Sequence, residues 1–588
     1  MKRIISLILA LMLCFGALAE VLQTGDTGEE VLTIQRRLAE LGYTQTETDG
    51  TYGSGTEEAI RDFQSLNGLL ETGMCDDVTK RVLLSDEAIE YSEYGDMPDL
   101  ACDAAAPVAT SMLGENSARS FALEDDAFDT REYTTFGENG FVSAATSPLS
   151  TFAADVDTAS WTQIREALLA GEEVDPDMVR VEEILNYFHY DYAEPQDGEP
   201  FGVTMELGDC PWQEGNKLLL IGLQAETIEK EEEQPKNLVF LIDVSGSMDD
   251  EDKLPLAKRA FLLLLDELAD TDTVSIVTYA SRDEIVLDGV PASDKTTIMA
   301  AINGLMAGGS TNGAAGITTA YELAEKHFIK GGVNRILLAT DGDLNVGVTS
   351  EGELARLVSE KKENGVALSV MGFGGWNYKD NRMEALADYG DGNYWYIDSI
   401  HEARRALVTE GGGTFNTVAK DVKLQLDFNP AVVKGYRLIG YEDRLLADED
   451  FADDAADGGE IGSGHRVTAL YEIVPAGSDF DFGGVESKYT SVSTDSTEWL
   501  TLSIRAKEPD GDESRLYTYT LADENDALPT ENLTFAAGAA EVGMLLRGSE
   551  WSGAATYESA LELLRSCDSV TGDVYKEELV YLCGLLVR

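Results

Sequence analysis

Three hydrophobic periodicities follow one another along the chain. In "GEEVLTIQRRLAELGY" the apolar residues Val31, Ile34, Leu38 and Leu41 recur at helical spacing, and Gly42 supplies a stop. A turn, "TDGTYGSG", leads to a second helix capped by Thr56 and carrying Ala59, Phe63 and Leu66, with Gly68 just beyond it; "DDVTKRVLL" begins a third. Between 237 and 410 solid apolar runs alternate with amphipathic stretches. Strands are expected at 238–243, 273–280, 284–290, "RILLATDGD", "VALSVMGFG" and "NYWYID". Helices are expected at 253–269, after "GGSTNGAAGI", at 351–363, near 380–389 and at "HEARRALVTE". Such alternation specifies a mainly parallel sheet covered on both faces. Beyond 415 the period falls to two: "KDVKLQLDF" sets Val422, Leu424, Leu426 and Phe428 on one face, and "EWLTLSIRA" and "RLYTYTL" read alike. Residues 415–522 are therefore expected to be antiparallel and half-buried, with helical spacing returning over 530–588.

Other stretches have no such period. Residues 85–147 are acidic, rich in Ala and Ser and aperiodic, which predicts a flexible tether. A compact segment resumes over 148–236, and "ADEDFADDAADGGEIGSG" reads as a mobile loop. At 588 residues the chain exceeds a single core. The expected division is 1–19, 22–84, 85–147, 148–236, 237–410 and 415–588, a multidomain chain with a small three-helix domain, a doubly wound α/β domain, and a β-rich then helical C-terminal region. The start, "MKRIISLILALMLCFGALA", has two basic residues, an apolar run and a small-residue exit, the layout of a secretory signal peptide cleaved after Ala19. Its apolar run is shorter than the roughly 20 residues a membrane span needs.

Charge narrows the partners. The chain carries 109 acidic against 43 basic groups, a net charge of −66, and loss of the leader makes this two units more negative. That field repels nucleic acid and anionic lipid and gathers cations. Five cysteines remain after the leader, Cys75, Cys102, Cys210, Cys567 and Cys583, too scattered for a thiolate zinc site or a disulfide scaffold. Cys567 and Cys583 are read either as a pair or, preferably, as buried free thiols. The four histidines, His189, His327, His401 and His465, lack the close His/Glu spacing of a zinc hydrolase.

The candidate chemistry is a set of oxygens. In an open doubly wound sheet, ligands bind outside the carboxyl ends of the strands. Three loops there carry suitable donors: Asp243, Ser245 and Ser247 in "LVFLIDVSGSMDD", Thr311 in "GGSTNG", and Asp341 in "LLATDGD". Two carboxylates and three hydroxyls, without sulfur or imidazole, suit a hard divalent cation such as Mg²⁺, which takes six oxygens at about 2.0–2.1 Å. Alternation by two lets Asp243, Ser245 and Ser247 point to one side. Other chemistries fit less well. The glycine-rich "GGSTNGAAGI" has no Gly-Lys-Ser/Thr to cradle phosphate, and "DVSGSM" is no Gly-x-Ser-x-Gly elbow. "DVDTASWTQIRE" places Asp155, Asp157 and Glu166 as a calcium loop would, but Ala159 and Ser160 replace a ligand and the turn glycine. A strand-to-helix transition capped by Thr158 or Ser160 fits it better.

The five-residue set resembles the metal-ion-dependent adhesion site (MIDAS) of von Willebrand factor type A (VWA) domains, Asp-x-Ser-x-Ser, then Thr, then Asp. The resemblance spans about 170 residues in matching strand and helix order. It implies that Asp243, Ser245, Ser247, Thr311 and Asp341 hold Mg²⁺, or Ca²⁺ or Mn²⁺, and that an Asp or Glu of a protein partner completes the shell. Residues 22–84 resemble the peptidoglycan-binding module of secreted cell-wall proteins, which implies attachment to peptidoglycan; Asp49, Tyr52 and Gln64 are the candidate contacts. The segment before the type A region and residues 415–588 resemble the flanks found in a family of bacterial exported proteins. Together these imply a secreted, wall-associated binding protein, without catalysis, that captures a protein ligand through a bound cation. An assembly or chaperone-like factor of an exported complex is the alternative, and a peptidoglycan-remodelling enzyme a more distant one.

Overall fold

The computed structural model describes residues 22, 26–43, 48–67, 73–75, 77–85, 88, 91, 131–196, 198–228, 233–311, 313–342, 351–362, 364–375, 378–482, 496–509, 511–522 and 530–587. The signal-peptide expectation, Cys102 and the tether over 92–130 lie outside them. The chain divides into two units, before and after residue 130.

In the first unit, helices α1 (Glu29–Glu40), α2 (Ser54–Leu66) and α3 (Asp77–Leu84) bury the expected stripe: Val31, Ile34, Leu38 and Leu41 are buried, as are Ala59, Ile60, Phe63 and Leu83. Thr56 lies within the first turn of α2 and is not its cap. Its hydroxyl accepts a bond from Gln35 Nε2 at 2.9 Å, while Gln35 Oε1 accepts from Gly50 N at 2.8 Å. One glutamine side chain thereby ties α1 to the turn that precedes α2.

The second unit opens with strands β1 (Val142–Ser143) and β2 (Leu149–Ala153), helices α4 (Ala159–Ala170) and α5 (Val181–Asn186), and strands β3 (Phe201–Asp209) and β4 (Lys217–Ala225). The central sheet follows, built from β5 (Lys236–Asp243), β6 (Thr273–Tyr279), β7 (Asp283–Pro291), β8 (Val333–Thr340), β9 (Ala367–Gly372) and β10 (Tyr394–Tyr396) in the order β10-β9-β8-β5-β6-β7. Every pairing is parallel except that of β7 with β6. All eight residues of β5 are buried, which is why its sequence does not alternate. Helices α6 (Leu254–Glu267), α7 (Lys295–Asn303), α8 (Gly313–Lys326), α9 (Glu351–Lys362) and α10 (Asp380–Tyr389) belong to this domain. On one face Val239, Leu241 and Val277 share a core with Ile317, Tyr321 and Leu338. Phe240 stacks on Phe261 of α6, ring centroids 4.3 Å apart. The last helix, α11 (Ile400–Arg404), continues through a π-helical turn at Arg405–Thr409 into α12 (Gly411–Phe415).

Strands β11 (Thr417–Phe428), β12 (Val433–Ile439), β13 (Gly459–Gly462), β14 (Arg466–Pro475), β15 (Leu500–Lys507) and β16 (Ser514–Leu521) are antiparallel as expected. They do not form a domain alone. One sheet runs β1-β12-β14-β4-β3 and the other β13-β11-β15-β16, with β2 also pairing β11. Phe152, Ile221, Leu223, Leu424, Leu426, Phe428, Tyr436 and Leu502 fill a shared core. The central α/β domain is thus an insertion between β4 and β11 of a β-sandwich. Helices α13 (Glu531–Arg547), α14 (Tyr557–Arg565) and α15 (Val574–Leu586) pack with α4 and α5 in a further core around Trp161, Phe188 and Phe535.

Two expectations need correction here. Residues 131–147 are not tether: Val142 and Ser143 pair with Tyr436 and Gly435 of β12. The acidic stretch after β12 is also held. Lys423 Nζ donates to the carbonyl oxygens of Asp450, Asp453 and Ala456 at 3.3, 2.5 and 2.7 Å, supplying a charged donor where the acidic chain turns. Cys210, Cys567 and Cys583 are buried free thiols, and Cys75 is buried as well. Among the described residues no helix is long and apolar enough to cross a membrane.

Candidate metal centre

Strand β5 pairs with β6 on one side and β8 on the other, and the chain leaves these neighbours in opposite directions, so its carboxyl end is the switch point of the sheet. Asp243 ends β5 and is wholly buried. Its Oδ1 accepts from Ser245 N at 2.8 Å and its Oδ2 from Thr340 Oγ1 at 3.3 Å. The second bond ties the exits of β5 and β8 together. The hydroxyls of Ser245 and Ser247 lie 3.0 Å apart, as spacing by two requires. A 3₁₀ turn over Gly246–Asp249 then carries the chain away.

The loop bearing Thr311 is anchored beside this one by its backbone. Gly308 N donates to Val244 O at 2.8 Å and Gly246 N to Gly309 O at 3.1 Å. Gly309 has φ +95°, and a Cβ there would come within 2.7 Å of Ser281 Oγ, so the turn admits only glycine. Thr311 follows two residues on, 8 % exposed. Asp341, one residue past β8, is wholly buried. Ser245 touches both Asp243 and Ser247, Asp341 is buried close enough for its charge to act on Asp243, and the Thr311 loop is bonded alongside.

Burial pushes the Asp243 carboxyl up to about 7; bonds from Ser245 resist that, and the charge of Asp341 adds to it. The buried Tyr279 hydroxyl lies next to both Asp243 and Thr340. Reasoning from sequence missed three groups: Tyr279, Thr340 and Lys253. Lys253 is wholly buried at the start of α6; its Nζ donates to Ser247 O at 2.9 Å and Asp341 Oδ2 at 3.4 Å. The available signal was a lysine placed between the Asp/Glu run 249–252 and the apolar start of a helix.

Among the described residues no three His, Cys, Asp or Glu side chains gather as a metal cage. The set at β5 contains only two carboxylates and reaches its donor number with hydroxyls, a composition that fits a hard cation with sites left for water or a partner.

In the first unit the expected glycan contacts separate. Tyr52 is fully buried and its hydroxyl donates to Gly73 O at 2.9 Å. Gln64 is fully buried too: Nε2 donates to Met74 O at 2.8 Å and Thr79 Oγ1 at 3.0 Å, and Oε1 accepts from Gly73 N at 2.8 Å. Both side chains are buried and make their bonds inside the fold. Asp49 is exposed, its carboxylate held by Thr51 N at 2.8 Å and Gln35 Nε2 at 3.3 Å.

Four family models match stretches of the chain. The von Willebrand factor type A domain model matches residues 237–407, and a model described as von Willebrand factor matches 127–220. The model for the C-terminal region of the uncharacterized protein YfbK matches 413–586, and a peptidoglycan binding domain model matches 27–83. YfbK of Escherichia coli is 41% identical over 467 residues, 78% of this chain and 81% of its own length. Protein sll0103 of Synechocystis is 30% identical over 187 residues, 32% of this chain and 43% of that protein. The spore cortex-lytic enzyme of Bacillus subtilis is 41% identical over 76 residues, 13% of this chain and 25% of the enzyme. Among solved structures, the von Willebrand factor type A protein from Catenulispora acidiphila covers 66% of this chain and 90% of its own, at 15% identity and a TM-score of 0.39.

Proposed function

Since the chain belongs to the family of the Escherichia coli protein YfbK, with a von Willebrand factor type A domain at its centre and a peptidoglycan-binding unit before it, we propose that it is an exported, wall-associated binding protein. The first unit holds peptidoglycan, with Asp49 on its surface. The central domain captures a protein ligand through a divalent cation held by Asp243, Ser245, Ser247, Thr311 and Asp341. Mg²⁺ is the preferred ion, and Ca²⁺ or Mn²⁺ can replace it.

One observation carries this reading: the exits of β5 and β8 and the loop at 308–311 are bonded into one place at the sheet's switch point, and the side chains they bring are oxygen donors. The bound ion supplies an exposed positive charge able to take a partner's carboxylate. The chain's own part is to orient the donors. Asp243 is fixed by bonds at both oxygens, and the serine hydroxyls are aligned by backbone alternation. The acidic surface of the chain, at net −66, gathers cations and disfavours nonspecific acidic partners, so an acidic ligand must be drawn by the ion itself.

Titration of the full chain with Mg²⁺, against Asp243→Ala, tests the proposal. One ion is expected per wild-type chain and none for the variant, with the circular dichroism spectrum retained. Equal uptake by both rejects the assignment. Capture from wall extracts with and without EDTA then separates ligand capture from assembly of the cell's own exported machinery, by the identity of what is released.

A further inference from the structure

The donor set contains a cation already. Lys253 stands at the N-terminus of α6 with no exposed surface. Its ammonium donates to Ser247 O at 2.9 Å and to Asp341 Oδ2 at 3.4 Å, and Asp250 Oδ2 lies 3.7 Å away. It touches the loop after β5 and the residue after β8 at once. Its stem cannot swing out to water. It runs against Gly374, where an added Cβ would come within 2.2 Å of Lys253 Cε and 2.8 Å of Cγ, and Gly374 itself has φ +74°. The loop after β9 therefore closes over the side chain, and only glycine leaves room for it.

Resting on the metal-site reading above, we propose that Lys253 is a resident counter-cation: it keeps Ser247 and Asp341 assembled when no ion is bound, and, unable to withdraw, it opposes the ion when one enters. Two consequences follow from charge alone. Taking a charged partner away from a buried carboxylate is costly, so the ion-free pocket depends on Lys253 more than the loaded pocket does. A like charge held beside an ion lowers its affinity. With both carboxylates ionised and Lys253 present, a divalent ion leaves one formal positive unit in the pocket; without Lys253 it leaves none. The lysine thus gives up affinity for the ion and strengthens the pull of the loaded site on an outside carboxylate.

Mg²⁺ titration of the full chain by calorimetry tests this, comparing wild type, Lys253→Met, Lys253→Arg and Asp243→Ala. Methionine keeps the stem and removes the charge. Lys253→Met is expected to bind Mg²⁺ about tenfold more tightly, about 1.4 kcal/mol, and to melt below wild type in EDTA by a margin that narrows at saturating Mg²⁺. Lys253→Arg, which keeps the charge, is expected to bind less tightly than Lys253→Met. Lys253→Gln, read in the same way, replaces the methionine variant should that one not fold. Equal or weaker binding by the neutral variant, while Asp243→Ala has lost the ion, overturns the role of Lys253 and leaves the site. Equal binding by wild type and Asp243→Ala, or none by wild type, overturns both.

Discussion

Arg165 Nε donates to Asp398 Oδ2 at 2.8 Å, joining the helix before the inserted domain to the residues that follow its last strand. The two side chains are 3% and 6% exposed. The same guanidinium reaches Tyr187 Oη at 2.7 Å, Glu402 at 3.4 Å and Glu578 of α15 at 3.4 Å. Arg165 thus joins α4, α11 and α15 through two buried carboxylates, Asp398 and Glu402, and the half-buried Glu578, while Arg405 also pairs with Glu402 at 2.8 Å. Arg165→Ala is expected to cost about 3–5 kcal/mol, the usual penalty for leaving buried charges unpaired. Urea unfolding at pH 7 gives the figure, and a loss below about 1 kcal/mol would mean that the three helices are held by apolar packing instead.

Stability should fall as acid is added through the range where His401 titrates in the unfolded chain. Burial pushes its imidazole down to about 4, and the charge of Arg165 adds to the effect. The folded state then refuses a proton that the unfolded chain accepts near 6.5. The contribution of the neutral ring is complete above that value and is lost as pH falls from about 6.5 toward 4. Unfolding free energies of wild type and His401→Gln, measured at several pH values between 7 and 4, should converge as the pH drops. Parallel curves would dissociate His401 from the acid sensitivity.

Tyr52→Phe removes only a hydroxyl and leaves Gly73 O without its donor. A loss of about 1 kcal/mol is expected in the first unit, read from its thermal transition. Because the ring is internal, sedimentation of the full chain with purified peptidoglycan should be unchanged at temperatures where the unit is folded. Reduced sedimentation there would return Tyr52 to the ligand-binding surface.

Lys423 is 1% exposed and its ammonium gathers three carbonyl oxygens from residues 450–456. Lys423→Met keeps the stem but strands those carbonyls in an acidic stretch. Limited digestion with an endoprotease that cuts beside Asp is expected to cleave there several-fold faster than in wild type. An unchanged rate would show that the pairing of β13 with β11 is sufficient to hold the segment.

Much of the central domain was legible in the order of residues. The apolar run ending at Asp243 announced a strand buried on both faces, and glycine or charge marked most of the helix ends. The spacing of Asp243, Ser245 and Ser247 could be read as one-sided because alternation by two is a local property of extended chain. Thr311 and Asp341 fell into the set through the expectation that loops meet at the carboxyl edge of a doubly wound sheet. The sandwich was not legible in the same way. Phe152 opposes Leu424, and Leu220 opposes Leu470, across separations that no local pattern encodes. Tyr52 and Gln64 carry groups that recognition sites use, and only packing reveals that those groups are bonded inside the fold.

Sequence by itself determined the local periods, the large acidic excess and the residue types at three strand exits, since each depends on neighbours in the chain. Tertiary structure decided which strands share a sheet, that the α/β domain interrupts a sandwich, and that Lys253 lies buried against Asp341. Those outcomes depend on which surfaces exclude water together and which charges are buried side by side, and neither is a property of any short stretch of sequence.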